Sequence, residues 1–140
     1  MGRGVVLGPF PSILTDFALK TPTLAAAPAR VLDTNDEGLR RYTHERTKVF
    51  AKFTSENCET CELLAPHFAQ FADVEEFKTI VFLRLNSDEN PVAKKMMQEK
   101  VAPFFVSYCQ GRMLECNTLE HEGEVLAMLR RLNEFMPQTA

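Results

Sequence analysis

The sequence predicts an α/β fold: a central mixed β-sheet with helices on both faces. Three observations lead there. Strand-like and helix-like segments alternate between Val31 and Glu99, the pattern of parallel strands joined by crossover helices. A Gln110-Gly111 hairpin signal then separates two further strand-like runs, so an antiparallel pair completes the sheet. The 140 residues, 45% hydrophobic and 25% charged, amount to one globular domain.

The elements follow in order. Val31–Leu32 reads as a short strand. Residues 36–45 have helical character, with Asp33 or Asn35 as the N-cap. Lys48–Thr54 (Lys-Val-Phe-Ala-Lys-Phe-Thr) reads as a strand, and residues 61–72 as a helix with Leu64, Phe68 and Phe71 on its apolar face. Residues 79–85 form a strongly apolar, buried strand. Residues 91–99 read as a helix, with Pro91 in its first turn and Asn90 as its cap. Phe104–Cys109 and residues 113–117 flank the hairpin. Residues 120–134 form the last helix, with Val125, Leu126, Met128, Leu129 and Leu132 on its apolar side. The expected order is β-α-β-α-β-α-β-β-α.

Residues 1–29 differ from the rest. They hold four of the eight prolines, three of the six glycines and a single acid, Asp16. Residues 11–20 read as one short amphipathic helix capped by Ser12, and residues 21–29 as extended chain. Val5, Val6, Leu7, Phe10, Ile13, Leu14, Phe17 and Leu24 are too many apolar side chains for a solvated tail. The expected organisation is therefore an extended N-terminal docking arm over 1–29 and one domain over 30–140. The acid-poor arm with its Arg and Thr residues points to an organelle, in the first instance the mitochondrion, with plastid or cytosol as alternatives.

Composition narrows the function. A net charge of −3, with no local block of Lys or Arg, gives no footprint for nucleic acid. The longest apolar runs are far short of the ~20 residues of a membrane helix. There is no Gly-rich phosphate loop and no Gly-x-Ser-x-Gly.

The motif that carries chemistry is Asn57-Cys58-Glu59-Thr60-Cys61-Glu62. It follows a strand and opens a helix. Cys58 then sits at a helix N-terminus, where free amides and the helix dipole favour a thiolate, the attacking species in disulfide exchange. Cys61, one turn later, is placed to resolve the mixed disulfide. The other readings of the pair are a structural disulfide, a zinc half-site or two inert thiols. Zinc needs four ligands; Cys109, Cys116, His44, His67 and His121 are scattered, so no metal is expected. Cys109 and Cys116 are expected to be buried small hydrophobes.

With these residues in place, the stretch from about 30 to 136 resembles the thioredoxin family. Pro66 stands five residues after Cys61, as the helix-kinking proline does in the family. Residues 85–91, Leu-Asn-Ser-Asp-Glu-Asn-Pro, are similar to the family's third strand and turn. Val101-Ala102-Pro103-Phe104 lies at the spacing of the family's cis-proline segment, and Gly111 matches the hairpin glycine. The resemblance implies a thioredoxin-like fold with Cys58 and Cys61 as the catalytic pair and no cofactor. It implies a cis Pro103 beside the pair, and a backbone around Ala102 and Pro103 that binds an extended disulfide-bearing protein target.

The departures from the family point elsewhere. Asn57 replaces a tryptophan, and Glu59-Thr60 replaces Gly-Pro. Lys52, six residues before Cys58, aligns with a buried acid, and a glycine after the hairpin is missing near Leu119. Lys52, Asn57, Glu59 and Thr60 should therefore modulate the pair. The departures favour a thioredoxin-like accessory subunit of a larger, organellar assembly, such as a respiratory complex, that has kept a redox-capable site and docks through residues 1–29. The intact Cys58, Cys61 and Pro103 favour the alternative, a free thiol–disulfide oxidoreductase.

Overall fold

The computed structural model describes residues 30–98 and 100–138. The docking arm over 1–29, with its expected helix, lies outside the described residues. The elements are β1 (Val31–Asp33), α1 (Asp36–Glu45), β2 (Lys48–Thr54), α2 (Glu59–Asp73), β3 (Ile80–Asn86), α3 (Pro91–Met97), β4 (Phe104–Cys109), β5 (Arg112–Thr118) and α4 (Glu122–Glu134). Single 3₁₀ turns at Glu75–Phe77 and Ser87–Glu89 flank β3. The expected order of strands and helices holds throughout.

The five strands lie in the order β1-β3-β2-β4-β5. β1 and β2 run parallel to β3, and β4 pairs antiparallel with both β2 and β5. Gln110 and Gly111 turn the hairpin with φ of 53° and 82°, the positive pair that a two-residue turn requires to match strand twist.

Strand alternation splits the interior into two layers. Val49, Ala51 and Phe53 of β2 join Leu39 of α1 and Ala93 and Met97 of α3 on one face. Phe50 joins Leu64 and Phe68 of α2 and Met128, Leu129 and Leu132 of α4 on the other. Four phenylalanines meet there: the Phe50 ring centroid lies 5.9 Å from Phe68, 6.0 Å from Phe82 and 5.7 Å from Phe105. The buried Lys48 extends across to α4, where its Nζ donates to the Asn133 carbonyl at 2.8 Å and so satisfies a C-terminal helix oxygen.

Three expectations need correction. Asn90 occupies the N-cap position of α3, but its side chain does not cap that helix. Its Oδ1 instead accepts from the Asp36 N–H at 3.0 Å, and its Nδ2 donates to the Asn86 carbonyl at 2.8 Å. The Asp36 carboxylate accepts from the Val92 and Ala93 N–H groups at 2.8 and 2.9 Å. α1 thus caps α3 across space, an interaction of about 1 kcal/mol, and locks the two helix starts together. Of the two candidate caps of α1, Asn35 serves, accepting from Gly38 N–H at 2.8 Å.

Secondly, α3 ends at Met97, short of residue 99, because Gln98 leaves helical space at φ 54°. α4 likewise begins two residues late. The Glu124 carboxylate accepts from the Glu120 and His121 N–H groups and holds those residues ahead of the helix. Thirdly, Cys109 is buried but Cys116 is exposed. Cys116 pairs with Val106 on the edge strand β5, and the α1/α3 apolar layer contains no β5 residue. No described helix is long and apolar enough to cross a membrane.

Candidate functional site

The site forms where β2 ends and α2 begins. The β2 terminus is tied to the turn after β3: Ser87 Oγ donates to the Thr54 carbonyl at 2.8 Å, and Thr54 Oγ1 to the Leu85 carbonyl at 3.2 Å. The Glu56 N–H donates to Asp88 Oδ2 at 2.8 Å. Asn57 then takes φ 57°, a left-handed conformation that asparagine tolerates better than most residues. This reverses the chain so that Cys58 becomes the N-cap of α2, with Cys61 N–H donating to Cys58 Sγ at 3.1 Å. The expected start of α2 at residue 61 moves back to Glu59.

Cys58 and Cys61 are joined in a disulfide, with Cα atoms 5.2 Å apart. The two sulfurs differ in access. Cys58 is half-buried, whereas Cys61 is 5% exposed. A cleft of about 380 Å³ opens on Cys58. Its lining includes Asn57, Glu59 and Thr60 on one side and Met97, Lys100, Val101 and Ala102 on the other. The Ala102–Pro103 peptide is cis, as the resemblance implies. Pro103 itself is buried, and its carbonyl accepts from Leu119 N–H at 3.4 Å. Five of the residues singled out in the sequence therefore meet in one cleft: Asn57, Cys58, Glu59, Thr60 and Ala102.

A second cleft, of about 220 Å³, reaches both sulfur-bearing residues and is lined also by Lys52, Thr54, Glu62 and Arg84. Lys52 follows from strand alternation: it lies on the same side of β2 as Phe50, beneath α2. It is 1% exposed. Its Nζ donates to the Cys61 carbonyl at 3.1 Å and sits 5.4 Å from the centre of the Phe68 ring. Arg84, its register neighbour on β3, is held by Asp33 at 2.6 and 2.9 Å. Sequence reasoning missed Arg84. The signal was a lone cation inside an otherwise apolar strand, Ile-Val-Phe-Leu-Arg-Leu-Asn. The three glutamates around the motif divide: Glu59 lines the first cleft, Glu62 the second, and Glu56 neither.

Burial first, and the Arg84 charge second, pull the Lys52 ammonium from its ordinary 10.5 down to about 8. Folding therefore favours neutral Lys52, and the charged form opposes folding below about pH 8. That penalty is relieved as pH rises from about 8 toward 10.5, where the unfolded lysine also loses its proton. In urea titrations of the oxidised protein, Lys52→Met should be more stable than wild type at pH 7, and the gain should vanish near pH 10.5. A gain that is independent of pH would contradict this reading.

Comparison with known proteins agrees with this architecture. The thioredoxin profile, described as "Thioredoxin", matches residues 30–131. No curated protein sequence matches the chain. Among solved structures, thioredoxin F from spinach chloroplast (short form) is 19% identical with a TM-score of 0.68, covering 79% of this chain and 100% of its own. A mutant thioredoxin from Halobacterium salinarum is 20% identical with a TM-score of 0.67, covering 81% and 99%. Mitochondrial thioredoxin 3 of Saccharomyces cerevisiae, in its oxidized form, is 17% identical with a TM-score of 0.65, covering 73% and 95%. At these identities the structures speak for the fold. The profile spans most of the chain and carries the rest: a cysteine pair at the mouth of a helix, a cis proline and a β1-β3-β2-β4-β5 sheet are those of a protein that belongs to the thioredoxin family.

Proposed function

We propose that this chain exchanges disulfides with protein targets, Cys58 attacking and Cys61 resolving. The observation that carries the reading is the unequal access of the two sulfurs, with half-buried Cys58 opening on the cleft and Cys61 closed behind it. In the reduced protein the Cys58 thiolate attacks a target disulfide, forming a Cys58–target bond and releasing one target thiolate. Cys61 then attacks Cys58 Sγ, closing the intramolecular disulfide and releasing the second. The N-terminal amides of α2 favour the attacking thiolate. Around Ala102, the cleft wall offers backbone against which a target segment can lie.

The surface at Asn57, Glu59 and Thr60 and the cation at Lys52 suit a narrow set of targets. The reduced full chain should therefore reduce insulin measurably but at least about tenfold more slowly than a broad-specificity thioredoxin assayed beside it. No insulin reduction at all would overturn the exchange reading.

A second reading is favoured by the apolar content of residues 1–29. In it the chain is an accessory subunit of a larger organellar assembly, respiratory or otherwise, docked through that segment, and it works in the mitochondrion, as one of its structural neighbours does by its name. Deleting residues 1–29 should then leave the domain folded and its cysteine chemistry intact while abolishing incorporation. A truncated chain that still co-purifies with the assembly would refute the docking arm.

A further inference from the structure

The second cleft contains an ionisable group that disulfide exchange, as described, does not use. Lys52 is buried, donates to the carbonyl of Cys61 itself, and shares a 220 Å³ space with both cysteines. The charged groups that face it can be named from every side. Arg84 on β3 adjoins it and is paired with Asp33 on β1. Glu62 on α2 lines the same space. On the β4 side its register partner is the apolar Phe105, and from α2 the Phe68 ring covers it. No hydrogen bond or ion pair to a carboxylate holds Lys52 among the described residues; the Cys61 carbonyl is its hydrogen-bond partner.

We propose, on the basis of the exchange reading, that Lys52 is a proton-holding, positioning residue for Cys61: in the reduced protein the Cys61 proton rests on Lys52, and the resolving sulfur is kept as a thiolate against a buried ammonium. A cation at this position lowers a neighbouring thiol pKa, where an acid would raise it. The lowered pKa of Lys52 in the oxidised protein fits a group that exchanges a proton near neutrality.

The resolving step then balances without a separate base. The Cys61 thiolate attacks Cys58 Sγ, the Cys58–Cys61 bond forms, and the Cys58–target bond breaks. The electron pair leaves on the target sulfur, which takes a proton from water. The Lys52 proton stays or departs according to pH. Because the ion pair exists only in the reduced state, it favours reduction of the disulfide and makes the pair more oxidising.

The test is the titration of the ¹³Cβ shift of Cys61 in the reduced full chain, with the equilibrium against glutathione measured beside it. Cys61 should titrate well below the ordinary thiol value of about 8.5. Lys52→Met should raise that midpoint by about one pH unit or more. It should also shift the glutathione equilibrium about tenfold toward the disulfide, equivalent to about 30 mV. That shift should be absent well below the wild-type Cys61 midpoint, where both thiols are protonated, grow as pH rises through it, and fall away once Lys52 loses its own proton. Lys52→Arg, which keeps the charge but cannot release it, should retain the low midpoint and extend the shift to higher pH.

A purely structural lysine would move none of these. A wild-type Cys61 midpoint at or above about 8.5 overturns the proposal whether or not the variants fold, and so does a Lys52→Met that folds and titrates like wild type. Insulin reduction separates this from the parent reading. An active chain with an ordinary Cys61 removes the ion pair alone. An inactive chain with a low Cys61 midpoint removes the exchange function and leaves the pair standing.

Discussion

Cys58→Ser should abolish disulfide exchange, lowering the rate of insulin reduction by on the order of 10³-fold or more, because no other described thiol opens on the cleft. The substitution is well suited to isolating chemistry from folding. Cys58 is the N-cap of α2, where its sulfur accepts from Cys61 N–H. Serine is among the preferred N-cap residues and can accept the same bond. The helix start should survive, and far-UV circular dichroism and the urea midpoint of the reduced protein should stay near wild type. Retained activity in Cys58→Ser would mean that Cys61, or the exposed Cys116, is the attacking thiol.

Phe50→Ala should cost about 3–5 kcal/mol, a large share of the roughly 5–15 kcal/mol by which a domain of this size is stable. Phe50 is fully buried in β2, a central strand flanked by β3 and β4. Its ring stands within 6.0 Å, centroid to centroid, of Phe68, Phe82 and Phe105. Those partners come from α2, β3 and β4, so the vacated space cannot close without moving three elements. Urea denaturation measures the loss directly. Val101→Ala is the contrast: Val101 is 66% exposed, and its change should stay within about 0.5 kcal/mol. A Phe50→Ala cost below about 1 kcal/mol would show that the phenylalanine cluster does not act as a packed unit.

The fold was legible because its signals are local. Lys48–Thr54 alternates in the way a strand between two helical layers must, Pro91 begins a helix, and Gln110-Gly111 can only turn. The cysteine pair was legible for the same reason, being a strand end, a reversal and a helix start written in consecutive residues. Interactions between distant segments were not legible. Asp36 capping α3 joins residues more than fifty positions apart, and no spacing rule connects them. Cys116 looked like an interior residue from its type, but an edge strand beyond the reach of α1 and α3 leaves it in solvent. Lys52 was visible as a departure from a family pattern. That it bonds to the Cys61 backbone, and that Arg84 adjoins it, required the register between β2 and β3.

In the proposed exchange, Cys58 is the sulfur that meets the target and Cys61 the one that releases it. Trapping tests it most directly. The reduced full-length Cys61→Ser protein is mixed with a peptide carrying a disulfide, and the products are mapped by mass spectrometry after digestion. One dominant, long-lived adduct is expected on Cys58, absent from Cys58→Ser and short-lived in wild type, where Cys61 resolves it. An adduct on Cys116 or Cys109, or none at all while the wild-type disulfide forms and breaks normally, would contradict it.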